Sequence, residues 1–274
     1  MLSLVPLPLL HAAGVVLGWL SFLISPTYRG RFIANTAQAG YSFGQVRAAV
    51  AEAGKLVAEP PRLWFGAPVG MRWEGEGVAL IARAQAHGRG IIFITPHLGG
   101  FEVVMQGVAM HLGRITVLFR PARKPWLRDV VEARARADML TVPTNVSGVR
   151  QMFKALKAGG AVGLLPDQVP PEGLGVWAPF FGRPAYTMTL ATRLARQTGA
   201  EILLMWGERL SWGRGFALHF RPWPYGAIPQ DPIVGAAQLN SAIESLIREC
   251  PQQYLWSYAR YKQPAGGADL GAAP

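Results

Sequence analysis

Cysteine is nearly absent from this 274-residue chain, with Cys250 standing alone. That excludes an internal disulfide and any structural zinc site built on thiolates. Charge is scarce as well: charged residues make up 16% of the sequence, against about a quarter in ordinary soluble domains. Half of the residues are hydrophobic and the mean hydropathy is +0.20. This balance excludes disordered, collagen-like and coiled-coil chains and leans toward a protein that touches lipid. Acidic residues are the rarer sign, 16 against 27 Lys and Arg, for a net charge of +11. Anionic partners are therefore expected, whether a phospholipid surface, a phosphorylated substrate, an acidic protein or nucleic acid. Only five of the 27 bases are Lys, a bias that suits bidentate phosphate recognition and equally suits a GC-rich genome. Several catalytic words are also missing: there is no P-loop, H-E-x-x-H or G-x-G-x-x-G.

No side chain from residue 2 to residue 28 carries a formal charge, and residues 9–24 are apolar almost all round. The segment reads as one short spanning or deeply inserted membrane helix that begins near Pro6 and Pro8, since proline is tolerated in a first helical turn but not in a helix interior. Residues 9–24 would reach about 24 Å and residues 2–24 about 34 Å, against about 30 Å of bilayer hydrocarbon. The missing basic leader argues against a cleaved signal peptide. Arg29 and Arg31 follow at once, which by the positive-inside rule places the remainder in the cytoplasm. A buried hairpin helix of a soluble fold is the alternative. The expected organisation is an anchor helix at 1–28, a folded catalytic body at 29–263 and a small, Gly/Pro-rich, disordered tail at 264–274.

After a stretch of helical spacing at 30–75, broken at Glu59-Pro60-Pro61, the body alternates in the α/β manner. Helices are expected at 78–85, 101–111, 148–157, 187–198 and 238–249, and short apolar strands at 90–95, 115–119, 161–165 and 202–206. Continuous apolar strands separated by helices imply an α/β fold, with a mixed, largely parallel sheet buried on both faces and flanked by helices. Functional residues then belong at the carboxyl ends of the strands.

The most informative stretch is Thr95-Pro96-His97-Leu98-Gly99-Gly100-Phe101-Glu102, where a strand ends and a helix begins. Residues five apart on one helix lie about 140° apart around the axis, so His97 and Glu102 converge only if His97 sits in the loop. Pro96 and the two glycines favour that loop, and Glu102 falls in the first helical turn, where the helix dipole favours a carboxylate. A carboxylate on one imidazole nitrogen fixes the tautomer and leaves the other nitrogen as a general base. The alternative is that His97 caps the helix and Glu102 only complements its dipole. A cationic strip at 114–136 follows, with seven bases against Asp129 and Glu132; Arg120, directly after a strand, is its best-placed member for a site. Asp167, in Leu165-Pro166-Asp167-Gln168, marks a second strand end, as a turn cap or a site residue.

Together these residues resemble the late lipid A acyltransferases of the lauroyl/myristoyl type, relatives of the glycerol-phosphate and lysophospholipid acyltransferases. The resemblance spans most of residues 1–264. It includes the apolar N-terminal helix, His97-x4-Glu102, Phe119-Arg120-Pro121, Arg134-Ala-Arg136, Pro166-Asp167-Gln168, Pro179-Phe180-Phe181-Gly182 and the ending from Pro251 to Lys262, in which Tyr258-Ala259-Arg260 departs from the common His-Arg-Arg. It implies transfer of a fatty acyl chain from acyl carrier protein to a hydroxyl of a lipid A precursor, at the cytoplasmic face of a bacterial inner membrane. His97 is then the general base and Glu102 its partner, while Arg120, Arg134 and Asp167 match substrate-binding or supporting positions; Arg134 and Arg136 compete for one of these. No cofactor or metal is implied, and no nucleic acid. Acylation of another lipid acceptor, such as a lysophospholipid, an ornithine lipid or a glycolipid, is the runner-up, followed by non-catalytic binding of anionic lipid.

Overall fold

The computed structural model describes residues 2–119 and 138–265. The chain opens with five helices, α1 (Leu7–Ile24), α2 (Pro26–Gln38), α3 (Phe43–Val46), α4 (Ala48–Ala58) and α5 (Pro60–Phe65). Pro6 caps α1 and Pro8 lies in its first turn, where a missing N–H costs nothing. Ser25 and Pro26 end α1 and open α2. Next come β1 (Met71–Trp73), α6 (Gly77–Ala86), β2 (Ile91–Ile94), α7 (Phe101–Leu112) and β3 (Ile115–Phe119). After the undescribed stretch follow β4 (Met139–Pro143), α8 (Val146–Lys157), β5 (Ala161–Leu164), β6 (Gly175–Phe180), β7 (Arg183–Met188), α9 (Leu190–Thr198), β8 (Glu201–Arg209), β9 (Phe216–Pro222) and α10 (Pro232–Glu249).

Seven strands form one sheet in the order β1-β9-β8-β2-β5-β3-β4. The five from β8 to β4 run parallel, and β9 turns back antiparallel to β8 and pairs with β1. Because side chains alternate along a strand, β2 feeds both faces. Ile92 and Ile94 join the layer packed by Met152, Leu194, Ile243 and Leu246, whereas Ile91 and Phe93 join Ile81, Val104 and Val108. The expected α/β architecture, a largely parallel sheet buried on both faces, is the observed one.

Two local expectations change. The helix expected at 187–198 starts only at Leu190, because 183–188 is strand β7, hairpinned onto β6. Phe181 and Gly182 make the turn with φ of 46° and 75°, the doubly left-handed pair that two-residue hairpins require. The helical reading of 30–75 fails at its end, where Met71–Trp73 pairs with Phe216–Leu218.

Helix α1 is the one described helix long and apolar enough to cross a membrane. It does not stand apart from the body. Leu7, Leu10, His11, Gly14, Gly18 and Phe22 are buried, and Gly14 and Gly18 lie so close to α4 that a Cβ on either would collide with the backbone at Lys55 or Val50. The tail from residue 266 onward lies outside the described residues.

Candidate active site

The register of the sheet brings the principal side chains together. Ile94 pairs with Leu164 on the adjacent parallel strands β2 and β5, and His97 and Asp167 each lie three residues further on. Their Cα atoms therefore emerge side by side at the carboxyl ends of neighbouring strands, where parallel sheets place their ligands. Asp167 Oδ1 accepts from His97 Nδ1 at 2.7 Å, and Oδ2 accepts from the His97 backbone N–H at 2.9 Å. Both carboxylate oxygens thus hold one residue.

The loop that carries His97 is stitched down on two sides. Gly100 N–H donates to the Gly207 carbonyl on β8, Gly99 N–H to the Gln253 carbonyl, and Leu255 N–H to the His97 carbonyl. Gly99 has a φ of +55° and lies against the Gly207 carbonyl oxygen, where a Cβ would collide. Below the loop, Arg209 at the end of β8 donates from Nη2 to the Gly99 carbonyl at 3.3 Å and grips Glu59 through Nε and Nη2 at 2.9 and 2.6 Å. Its Nη1 reaches Glu52 at 2.7 Å, and Glu59 also meets His11 of α1 at 3.2 Å.

Electrostatics favour an ionised Asp167. Burial would raise its carboxyl, but attraction to His97 and the hydrogen bonds from the His97 side chain and backbone hold it below the ordinary carboxylate value. Next to it, burial and then the Asp167 charge push the Tyr254 phenol well above its ordinary value, so it stays protonated. Arg260, also buried, donates to the Tyr186 carbonyl and to Thr187 Oγ1, both at 2.8 Å. With an ionised acceptor on Nδ1, the neutral ring carries its proton there and presents a lone pair at Nε2. Gln168 Nε2 lies 3.1 Å from that atom.

His97, Phe101, Glu102 and Gln168 line one cavity of about 360 Å³, whose remaining walls are largely apolar: Val117, Leu118, Leu164, Leu165, Val169, Leu174 and Leu190. Its size falls in the range of small-molecule sites. A larger cleft, about 660 Å³, lies at the opposite, amino-terminal end of β2 and β8, where the strand-end rule does not place chemistry.

Of the residues singled out from sequence, His97 and Glu102 line the cavity, and Asp167, buried, is joined to it through His97. The orienting carboxylate on Nδ1, expected from Glu102, comes from Asp167, whose expected place was among the substrate-binding residues. The parallel register delivers Asp167 to the imidazole, and Glu102, in the first turn of α7, lines the cavity. Arg120, Arg134 and Arg136 lie outside the described residues. Gln168, Tyr254 and Arg209 were not picked out as site residues; for Gln168 the available signal was its place in the strand-end word Pro166-Asp167-Gln168.

Residues 43–263 match the model of a family described as bacterial lipid A biosynthesis acyltransferase. The chain is 30% identical over 222 residues to lipid A biosynthesis palmitoleoyltransferase of Escherichia coli (strain K12), covering 79% of this chain and 71% of that protein. It is 31% identical over 201 residues to lipid A biosynthesis lauroyltransferase of the same strain, covering 71% and 64%. A lipid A biosynthesis acyltransferase of Haemophilus influenzae is 24% identical over 204 residues, covering 73% and 62%.

Proposed function

This chain belongs to the bacterial lipid A biosynthesis acyltransferases, and from that premise we propose that it moves a fatty acyl chain from acyl carrier protein to a hydroxyl of a lipid A precursor, with His97 as general base and Asp167 as its orienting carboxylate. The observation that carries the reading is the His97–Asp167 pair, whose imidazole lines a largely apolar cavity. His97 Nε2 takes the proton of the acceptor hydroxyl as its oxygen attacks the thioester carbonyl, and Asp167 stabilises the imidazolium that forms. The carbon–sulfur bond then breaks, and the proton passes from His97 to the leaving thiolate. Glu102 remains a catalytic residue in this reading, as an acceptor toward the incoming sugar hydroxyls. Arg120 and Arg134 are assigned to phosphate or the developing oxyanion.

The net charge of +11 suits both a phosphorylated glycolipid and an acidic carrier protein. The exposed side of α1 and Arg29 and Arg31 just beyond it support attachment at the cytoplasmic face of the inner membrane in this reading. Because its other side is packed on α4, α1 suits a helix embedded along one face better than one surrounded by lipid.

The test is transfer of labelled acyl chains from acyl-carrier-protein thioesters to a tetra-acylated lipid A precursor by detergent-solubilised protein. Wild type should form product, and His97→Ala should lose about 10²- to 10⁴-fold in turnover. Equal product from both would overturn the general-base assignment.

A further inference from the structure

The base proposed above is not open in this structure. Its lone pair points at an amide: with Nδ1–H committed to Asp167, His97 Nε2 can only accept, and Gln168 Nε2 is the donor 3.1 Å away. The backbone under Gln168 is fixed. Pro166 precedes it, Pro170 and Pro171 follow, and the intervening Val169 N–H donates to the Tyr258 hydroxyl at 2.9 Å. A loop built this way leaves the side chain free to turn about its χ angles while the chain stays put. Gln168 and His97 both line the apolar cavity, so the amide stands where a nucleophile bound to Nε2 would stand.

We propose that Gln168 is a gate on the catalytic base: its amide occupies His97 Nε2 until an acceptor hydroxyl displaces it, and it thereby keeps water from being activated against the acyl thioester. The inference rests on the reading of His97 as general base. Without the amide, the natural partner for the Nε2 lone pair is a water molecule. With an acyl thioester bound, that water is a misplaced nucleophile. Its oxygen would attack the carbonyl, Nε2 would take its proton, the carbon–sulfur bond would break, and the proton would pass to the thiolate, giving free fatty acid and free thiol. A sugar hydroxyl held by the rest of its molecule can displace the amide and recover the lost hydrogen bond with binding energy spent elsewhere, whereas a lone water cannot. Gln168 is on this account a positioning residue that acts through His97, setting the partition between transfer and hydrolysis.

The experiment measures two rates on the full-length, detergent-solubilised protein: transfer to a tetra-acylated lipid A precursor, and release of free fatty acid from acyl-carrier-protein thioester with no acceptor present. Gln168→Met keeps the side-chain volume and removes the donor, and should raise acceptor-free hydrolysis about five- to tenfold relative to transfer, the worth of one hydrogen bond. Gln168→Glu places an acceptor against Nε2, favours the protonated ring, and should move the acid limb of the pH–rate profile to higher pH. A packing role would lower both rates together and leave the profile unmoved, and that result overturns the gate. The double variant His97→Ala, Gln168→Met separates the two readings. If the excess hydrolysis survives in it, the water is not activated by His97 and the gate falls. If His97→Ala alone transfers as well as wild type, the base assignment falls with it. If His97→Ala is inactive while Gln168→Met partitions as wild type does, only the gate is lost.

Discussion

At the scale of single residues, the site turns on which carboxylate holds the imidazole. Asp167 is buried and accepts from both the ring and the backbone of His97, so it fixes position and tautomer at once. Replacing it with Asn keeps the shape and removes that control, since an amide can present either an N–H or a carbonyl to Nδ1. Asp167→Asn should therefore lower kcat by about 10²- to 10⁴-fold with a much smaller change in KM; steady-state rates beside a far-UV circular dichroism check of folding would show it. A fall in KM affinity alone would return Asp167 to the substrate-binding part first expected of it. His97 was legible because the local words said so: a strand end, a proline, two glycines and a helix start. The partner was harder to see. It lies 70 residues away in sequence and reaches His97 only through the pairing of β2 with β5, which no local spacing encodes. Gln168 carried even less signal, because an uncharged amide is informative only once the atom opposite it is known.

At the scale of elements, α1, α4 and the end of β8 meet in a buried ionic cluster of His11, Glu52, Glu59 and Arg209. Arg209 and Glu59 are 4% and 1% exposed, so removing one partner leaves the other uncompensated. Arg209→Met should cost about 3–5 kcal/mol and lower the melting temperature by roughly 10 °C, as read by differential scanning fluorimetry. The same cluster sets an acid limit. Burial would raise the Glu59 carboxyl, but the Arg209 charge, with the His11 and Arg209 hydrogen bonds, holds it below its ordinary value. Its contribution to stability is therefore complete above that ordinary value and is lost as pH falls through the lower folded one. Across that acid window the wild-type melting temperature should fall more steeply than that of Glu59→Gln; parallel slopes would mean that Glu59 is not the titrating group. The parallel strands and their helices were legible from apolar runs, whereas the β6–β7 hairpin was not. Its strands alternate only weakly, and its turn signal is Phe181-Gly182 rather than a common Asn-Gly pair.

At the scale of the whole molecule, a run of exposed apolar side chains gathers on α1. Leu9, Val16, Leu17, Leu20, Leu23 and Ile24 are exposed along α1. Beside them, Gly213 abuts Pro8, and the neighbouring Trp212 is 88% exposed. An apolar helix face with a tryptophan at its flank is the arrangement that settles into a membrane interface. The opposite face of α1 is committed to α4, so attachment should depend on the exposed leucines and not on the helix as a whole. Two contributions can then be told apart in flotation with vesicles containing anionic phospholipid. Charge attraction from the +11 chain should weaken as salt rises toward 1 M, where the screening length is about 3 Å, while the apolar contribution persists. Leu17→Asp with Leu20→Asp should cut the salt-resistant fraction by about a hundredfold or more, because each exchange removes roughly 1.5–3 kcal/mol of apolar burial and sets a charge in its place. The His97 loop is stitched to β8 and the C-terminal segment rather than to these leucines, so the doubly substituted protein should keep its turnover in detergent while losing the vesicles. Retained binding at high salt would place the attachment elsewhere on the molecule, and loss of detergent activity would mean that the outer face of α1 also supports the fold of the site.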